Sequence, residues 1–196
     1  MNGDGLMDAA YAMHHNCSAN DFGDQLIEAA VGDGTGSFWQ PWDDGLATNG
    51  ENYGMFGTDV ADVDNDGDLD LAANSFGCCS GIHVYLNQGN GAWIQGFGFN
   101  GGNSGSEIAF GDVNGDGMAD LIAWQEFGTV FTGAVAGGFQ LADGNLPPGR
   151  HDGRVGPGAG DVNSDGRDDL SFCRGGRPTV WTCRVRIPAK TISHSG

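Results

Sequence analysis

Asp62, Asp64, Asp66 and Asp70 place four carboxylates at alternating positions of one short segment, Asp62-Val-Asp-Asn-Asp-Gly-Asp-Leu-Asp-Leu71. That chemistry suits a hard divalent cation. Ca²⁺ takes six to eight oxygen ligands at roughly 2.3–2.6 Å, so acidic side chains at positions 1, 3, 5 and 9, a backbone carbonyl at position 7 and water would satisfy it. Glycine at position 6 permits the φ > 0 turn that wraps the chain around an ion. The segment returns as Asp112-Val-Asn-Gly-Asp-Gly-Met-Ala-Asp-Leu121 and Asp161-Val-Asn-Ser-Asp-Gly-Arg-Asp-Asp-Leu170, and without its first position as Asn2-Gly-Asp-Gly-Leu-Met-Asp8. Asp, Asn and Gly are also ordinary turn residues. Turns alone, however, give no reason for Asp to recur at positions 5 and 9 in every copy, and the repetition points to metal.

The flanking residues say which kind of metal loop this is. An EF-hand needs a bidentate Glu at position 12 and helices on both sides, whereas position 12 here is Ala73, Ala123 or Phe172. Short apolar runs follow each loop: Leu71–Ala73, Leu121–Trp124 and Leu170–Phe172, then Ile82–Leu86, Thr129–Phe131 and Thr179–Trp181 after Gly-rich turns. These are strand and turn signals. The cation loop is therefore expected between two strands, with Glu107–Phe110 as the type of strand 1 before it.

The sequence resembles the FG-GAP or VCBS repeats, the Ca²⁺-bearing blades of integrin-α-type β-propellers. The likeness is carried by Phe110-Gly111 ahead of Asp112, by the loops themselves, and by a later Gly-x-aromatic step at Ser37-Phe38, Ala92-Trp93 and Gly138-Phe139. The resemblance implies that Asp62, Asp64, Asp66 and Asp70 bind one ion by side chain while Asp68 gives its carbonyl. It implies a second ion at Asp112, Asn114, Asp116 and Asp120 with the Met118 carbonyl, and a third at Asp161, Asn163, Asp165 and Asp169 with that of Arg167. Asn2, Asp4, Leu6 and Asp8 form a partial fourth site that lacks position 1.

Spacing and composition extend the same reading. Position 9 recurs at Asp8, Asp70, Asp120 and Asp169, about 50 residues apart in the later copies, which is the length of a four-stranded propeller blade. The expected fold is all-β, a single repeat domain over 1–196 forming a propeller or propeller-like array, with units at 1–54 (lacking its first strand), 55–104, 105–153 and 154–196. Counting Lys190–His194 as a last strand gives fifteen where four whole blades need sixteen. Either the wheel closes on itself, or the chain is a section of a larger propeller or head-to-tail array. Met1 opens inside a loop, so the natural start is expected to have been removed or to lie upstream. Gly at 37 of 196 residues fits many tight turns, and only Asp24–Ala30 looks briefly helical, at a place where another unit has a strand.

A net charge of −18 argues against nucleic acid or an anionic membrane as partner, and no apolar run reaches the length of a membrane span. No nucleophile elbow, zinc-protease helix, P-loop or dinucleotide fingerprint appears. His14 and His15 are adjacent and as strand residues would face opposite ways, His83, His151 and His194 stand apart, and Glu28, Glu51, Glu107 and Glu126 are scattered. A non-enzymatic, extracellular, calcium-stabilised scaffold for adhesion or assembly is expected, with protein partners or copies of itself. The alternatives are a carbohydrate-binding propeller and an accessory domain of a larger secreted enzyme. Trp39, Trp42 and Trp124 are candidate sugar contacts, although packing of Trp39 and Trp42 between blades is the preferred account. Cys173 and Cys183 flank an expected hairpin through Gly175-Gly176 as cross-strand partners; Cys78 or Cys79 aligns near Cys17 for an inter-blade bridge, and burial of all five as small residues is the alternative. Asn16-Cys-Ser18 is a glycosylation sequon.

Overall fold

The computed structural model describes residues 1–12, 27–46, 55–75, 81–99, 107–124, 128–142, 157–176 and 180–186, with side chains among them except at 55, 56, 75, 124, 128, 172–176 and 180–186. The first sheet holds β1 (Ala9–Ala12), β2 (Ile27–Gly32) and β3 (Trp39–Pro41), and the second β4 (Met55–Ala61), β5 (Asp70–Ser75), β6 (Ile82–Asn87) and β7 (Trp93–Phe99). The third holds β8 (Glu107–Gly111), β9 (Asp120–Trp124), β10 (Gly128–Ala134) and β11 (Gly138–Leu141), and the fourth β12 (Gly158–Gly160), β13 (Asp169–Gly176) and β14 (Val180–Arg186). Every sheet is an antiparallel meander in chain order, so the fold is all-β with the expected repeat.

Two sheets are four-stranded and two show three strands among the described residues. Among the described residues the first sheet consists of β1, β2 and β3, all of them after its acidic loop. The expected strand at Lys190–His194 lies outside the described residues. Ile27–Ala30, briefly helical in pattern, is strand: all six residues of β2 are buried, and a segment covered on both faces has no need of a polar alternation.

Period-two alternation builds the core between sheets. On β5, Leu71 and Ala73 join Ile27, Ala29, Leu46, Tyr85 and Trp93 in one cluster toward the first sheet. Ala72, between them in sequence, points the other way and joins Val63, Ile82, Val84, Ile108, Leu121, Ala123 and Phe131 toward the third. The strand β9 repeats the device, with Leu121 and Ala123 on one side and Ile122 on the other against Val130 and Leu170. The second and third sheets therefore have two apolar faces and are sandwiched by their chain neighbours, with β1 on β4, β4 on β8 and β8 on β12. Phe97 and Phe99 add edge-on contacts to Phe131 at centroid distances of 5.5 and 4.9 Å between the second and third sheets. Stacking of this kind is the propeller-like array that the repeats predict. Among the described residues no helix is long and apolar enough to cross a membrane.

The fourth sheet differs from expectation in its turn. Gly175 and Gly176 belong to β13, so the chain reverses after them, yet the register still sets Cys173 opposite Cys183. Cys17, Cys78, Cys79, His14, His15, His151, His194, Glu51 and Glu126 lie outside the described residues, as does the side chain of Trp124.

Candidate metal centres

The second, third and fourth acidic loops each join the first two strands of a sheet and the first leads into β1, and all four share one backbone conformation. Position 6 has positive φ in all four, at Gly5 (80°), Gly67 (97°), Gly117 (82°) and Gly166 (85°), as glycine there predicts. Position 4 does too, at Gly3 (73°), Asn65 (61°), Gly115 (78°) and Ser164 (59°). This second left-handed step escaped the sequence reading, although the restriction to Gly, Asn and Ser was its signal. Asn tolerates that region better than most residues, and Ser164 is held there by the loop around it.

The first carboxylate gathers the loop onto itself. Asp62 accepts from Asp66 N at 3.1 Å and Gly67 N at 3.1 Å, Asp112 from Gly115, Asp116 and Gly117 N at 2.6, 3.1 and 2.8 Å, and Asp161 from Asp165 and Gly166 N at 3.1 and 2.8 Å. Gly166 N, followed by other loop N–H groups, holds the exposed Asp161 carboxyl below the usual range. Position 5 turns an oxygen onto position 7: Asp66 accepts from Asp68 N at 2.9 Å, Asp116 from Met118 N at 2.9 Å and Asp165 from Arg167 N at 3.1 Å. The first copy keeps its version, Leu6 N to Asp4 Oδ1 at 2.8 Å, with Asn2 Nδ2 on Asp4 Oδ2 at 3.0 Å.

The ninth carboxylate fastens each loop to its sheet. Its Oδ2 takes the N–H of position 2: Val63 on Asp70 at 2.8 Å, Val113 on Asp120 at 2.8 Å, Val162 on Asp169 at 3.2 Å. In the first copy the donor is the Met1 α-amino group, 2.6 Å from Asp8 Oδ2. The other oxygen takes an N–H from the sheet's next strand or its end, Gly32 on Asp8 at 3.1 Å, Asn87 on Asp70 at 2.8 Å and Gly133 on Asp120 at 2.7 Å. Burial pushes Asp8 up, but bonds from the α-amino group and Gly32 outweigh it, and its carboxyl sits below the usual range.

Asp70 behaves oppositely. Burial first, then the charges of Asp64 and Asp66, push it up to about 6 against the pull of Asn87 N and Val63 N. Burial, with Asp116 and Asp112, raises Asp120, and burial, with Asp66 and Asp62, raises Asp64. Asp169 Oδ1 is buried with no hydrogen-bond partner among the described residues. These are carboxylates short of positive charge. In the second loop Asp62, Asp64 and Asp70 bring one oxygen each within 4.8 Å of one another, a triad able to hold a metal ion. Exposed Asp66 is outside that triad.

The third and fourth loops have Asn at position 3, and there the amide nitrogen acts as a stand-in cation. Asn114 Nδ2 donates to Asp116 Oδ2 at 2.9 Å and Asn163 Nδ2 to Asp169 Oδ2 at 3.0 Å. A metal ion at either loop would take the amide oxygen instead, because the nitrogen is a donor only. Donor chemistry, orphaned acceptor and raised carboxylates all fit a hard cation held by oxygen.

Elsewhere the structure sorts the other candidates. Trp42 packs against the cluster between the first and second sheets, and its carbonyl accepts from Trp93 Nε1 at 2.6 Å. Half-buried Trp39 lies over Gly32. His83 is buried, with Nδ1 3.3 Å from Tyr85 Oη. The sequence reading missed a buried acidic pair: Glu28 and Asp43 are fully or nearly fully buried, and after burial itself their charges raise the Tyr11 phenol. A lone Glu inside Ile27-Glu-Ala-Ala-Val31 was the available signal.

A family model described as FG-GAP-like repeat matches residues 1–73 and 74–123. No curated protein matches the chain. The matched span contains the first three loops, and the fourth follows the same geometry beyond it.

Proposed function

Because the chain belongs to the FG-GAP-like repeat family, we propose that it is a calcium-stabilised, non-catalytic β-propeller-type scaffold that works outside the cell in adhesion or assembly. Ca²⁺ occupies the second, third and fourth loops, and the first, with Asn2, Asp4 and Asp8 alone, is partial. The observation that carries this is the set Asp62, Asp64 and Asp70, three carboxylates converging in a loop whose buried member is pushed up to about 6 by burial and by the charges of Asp64 and Asp66.

The ion's work is structural. Each loop hangs on its ninth carboxylate, which already ties position 2 to the sheet, and a divalent ion between positions 1, 3, 5 and 9 discharges that buried group. Oxygen donors alone, several of them charged, favour Ca²⁺ over softer metals. Submillimolar to millimolar calcium is an extracellular condition, and loops of this design are matched to it.

The partner is a protein or further copies of this chain. Leu6, Met7, Val60 and Leu69 are exposed apolar side chains around a groove of about 310 Å³ between the first and second loops. Trp42 packs inward, which favours protein contact over a sugar-binding aromatic face. Calcium titration followed by thermal melting, with solution mass measured in calcium and in chelator, tests the proposal: saturable stabilisation supports it, and identical melting curves in both would overturn it.

A further inference from the structure

We propose that Asp168 is a positioning residue that couples the third and fourth loops, so that they bind their cations as a cooperative pair; this rests on the metal reading above. Asp168 stands at position 8, outside the ligand positions. Its Oδ2 accepts from Asp112 N at 2.8 Å, and its own N–H donates to the Asp112 carbonyl at 2.7 Å. These two bonds clamp the fourth loop onto the backbone of the residue that opens the third.

Asp112 is at once the end of that clamp and the centre of its own loop, since its carboxylate collects the N–H groups of Gly115, Asp116 and Gly117. Whatever orders Asp168 therefore fixes the direction of a third-loop ligand. The approach is close by construction: a Cβ at Gly111 would collide with Ala159 Cβ and stand 2.8 Å from Asp168 Oδ2. Arg167, beside it, runs along the third loop, its Cγ and Nε 2.9 and 3.1 Å from where a Gly115 Cβ would be.

The clamp is particular to this pair of loops. At position 8 the other copies have Met7, Leu69 and Ala119, whose side chains have no carboxylate to accept a backbone N–H. Between the second and third sheets the corresponding tie runs from strand to strand, from Phe110 N to Asp59 Oδ2 at 2.8 Å. Metal in the fourth loop orders Asp168 and tightens the third, and linkage makes the effect reciprocal.

Calorimetric Ca²⁺ titration of the full chain tests this, with the second loop disabled by Asp62→Ala and Asp64→Ala so that the later loops dominate the heat. Disabling the fourth loop as well, by Asp161→Ala and Asp165→Ala, is expected to weaken binding at the third by about 5–20-fold, at the low end of the usual coupling between sites. In an Asp168→Ala background that loss should shrink below about 2-fold, while Asp168→Asn, whose amide oxygen still accepts the Asp112 N–H, keeps it. Gly111→Ala, which displaces the Asp168 carboxylate, removes the coupling by a second route should Asp168→Ala fail to fold. Third-loop affinity that ignores the state of the fourth loop, or coupling equal in Asp168→Ala and the parent, would overturn the proposal alone. No saturable binding in the unmodified chain would overturn the metal reading with it.

Discussion

Asp59 Oδ2 accepts the backbone N–H of Phe110 at 2.8 Å, a hydrogen bond between strands of neighbouring sheets whose residues are 51 positions apart. It is one of the few polar ties in an interface otherwise made of apolar side chains. Asp59→Ala leaves Phe110 N without its acceptor in a half-buried place, which costs about 1–3 kcal/mol. A melting temperature lower by several degrees, roughly 2–12 °C for a chain of this size, is the expected outcome. An unchanged melt would show that water replaces the carboxylate there.

Calcium should raise the melting temperature and a chelator lower it, because an ion that binds only the folded loops stabilises by mass action, about 2.7 kcal/mol per site at a hundredfold excess over Kd. The second loop, with Asp at position 3 as well as 1, 5 and 9, should bind most tightly. Asp64→Asn should lower its affinity toward that of the third loop, which has Asn114 at the same position. Calorimetric titration of the single variant reads this out, and equal affinities before and after would break the link between charge count and binding.

In chelator the pH dependence has a definite sign. The Asp70 carboxyl is raised in the fold, to about 6 from an ordinary value of 3.8, so the folded state holds its proton more tightly than the unfolded one. The stabilisation is complete below the ordinary value and is lost as pH rises through about 6. Metal-free protein should therefore lose this contribution between pH 4 and 7, and Asp70→Asn should flatten that part of the curve. With calcium bound the slope should reverse, since protons then compete with the ion. Urea midpoints across pH, with and without calcium, provide the test.

Cys173 and Cys183 are register partners on β13 and β14. Directly opposed residues of an antiparallel pair have Cα atoms about 4.5–5.5 Å apart, within the span a disulfide bridges. A disulfide is expected once the thiols exchange with an oxidised small-molecule disulfide, two reduced thiols leaving for each bond formed. Peptide mapping of the oxidised, unreduced protein should recover both residues in one linked peptide. Free thiols at both positions under those conditions would contradict it.

The acidic loops, their phase and the strands around them were legible in the sequence because each is local: an Asp at every second position, a glycine where φ turns positive, and apolar alternation over five residues declare themselves within ten residues. The ends of the fourth sheet's hairpin were displaced, because Gly175 and Gly176 serve as well in a strand as in a turn when a partner strand pairs with them.

What only the tertiary structure decided is which residues 50 or more positions apart share a surface. Position 9 was legible as a ligand and not as the hook that ties each loop to its sheet. Asp168 looked like one more acid beside Asp169, and Asp59 like an ordinary strand residue, until the neighbouring sheet supplied Asp112 N and Phe110 N. Trp42 and Glu28 were marked only faintly, by preference for packing and by a lone acid in an apolar run, since a side chain is buried by what packs over it, and that is set by the stacking of whole sheets. Sequence therefore determined the repeated unit and the acidic pattern of its loops, because these depend on neighbours along the chain. The couplings between units arose from the fold, because they depend on neighbours across space.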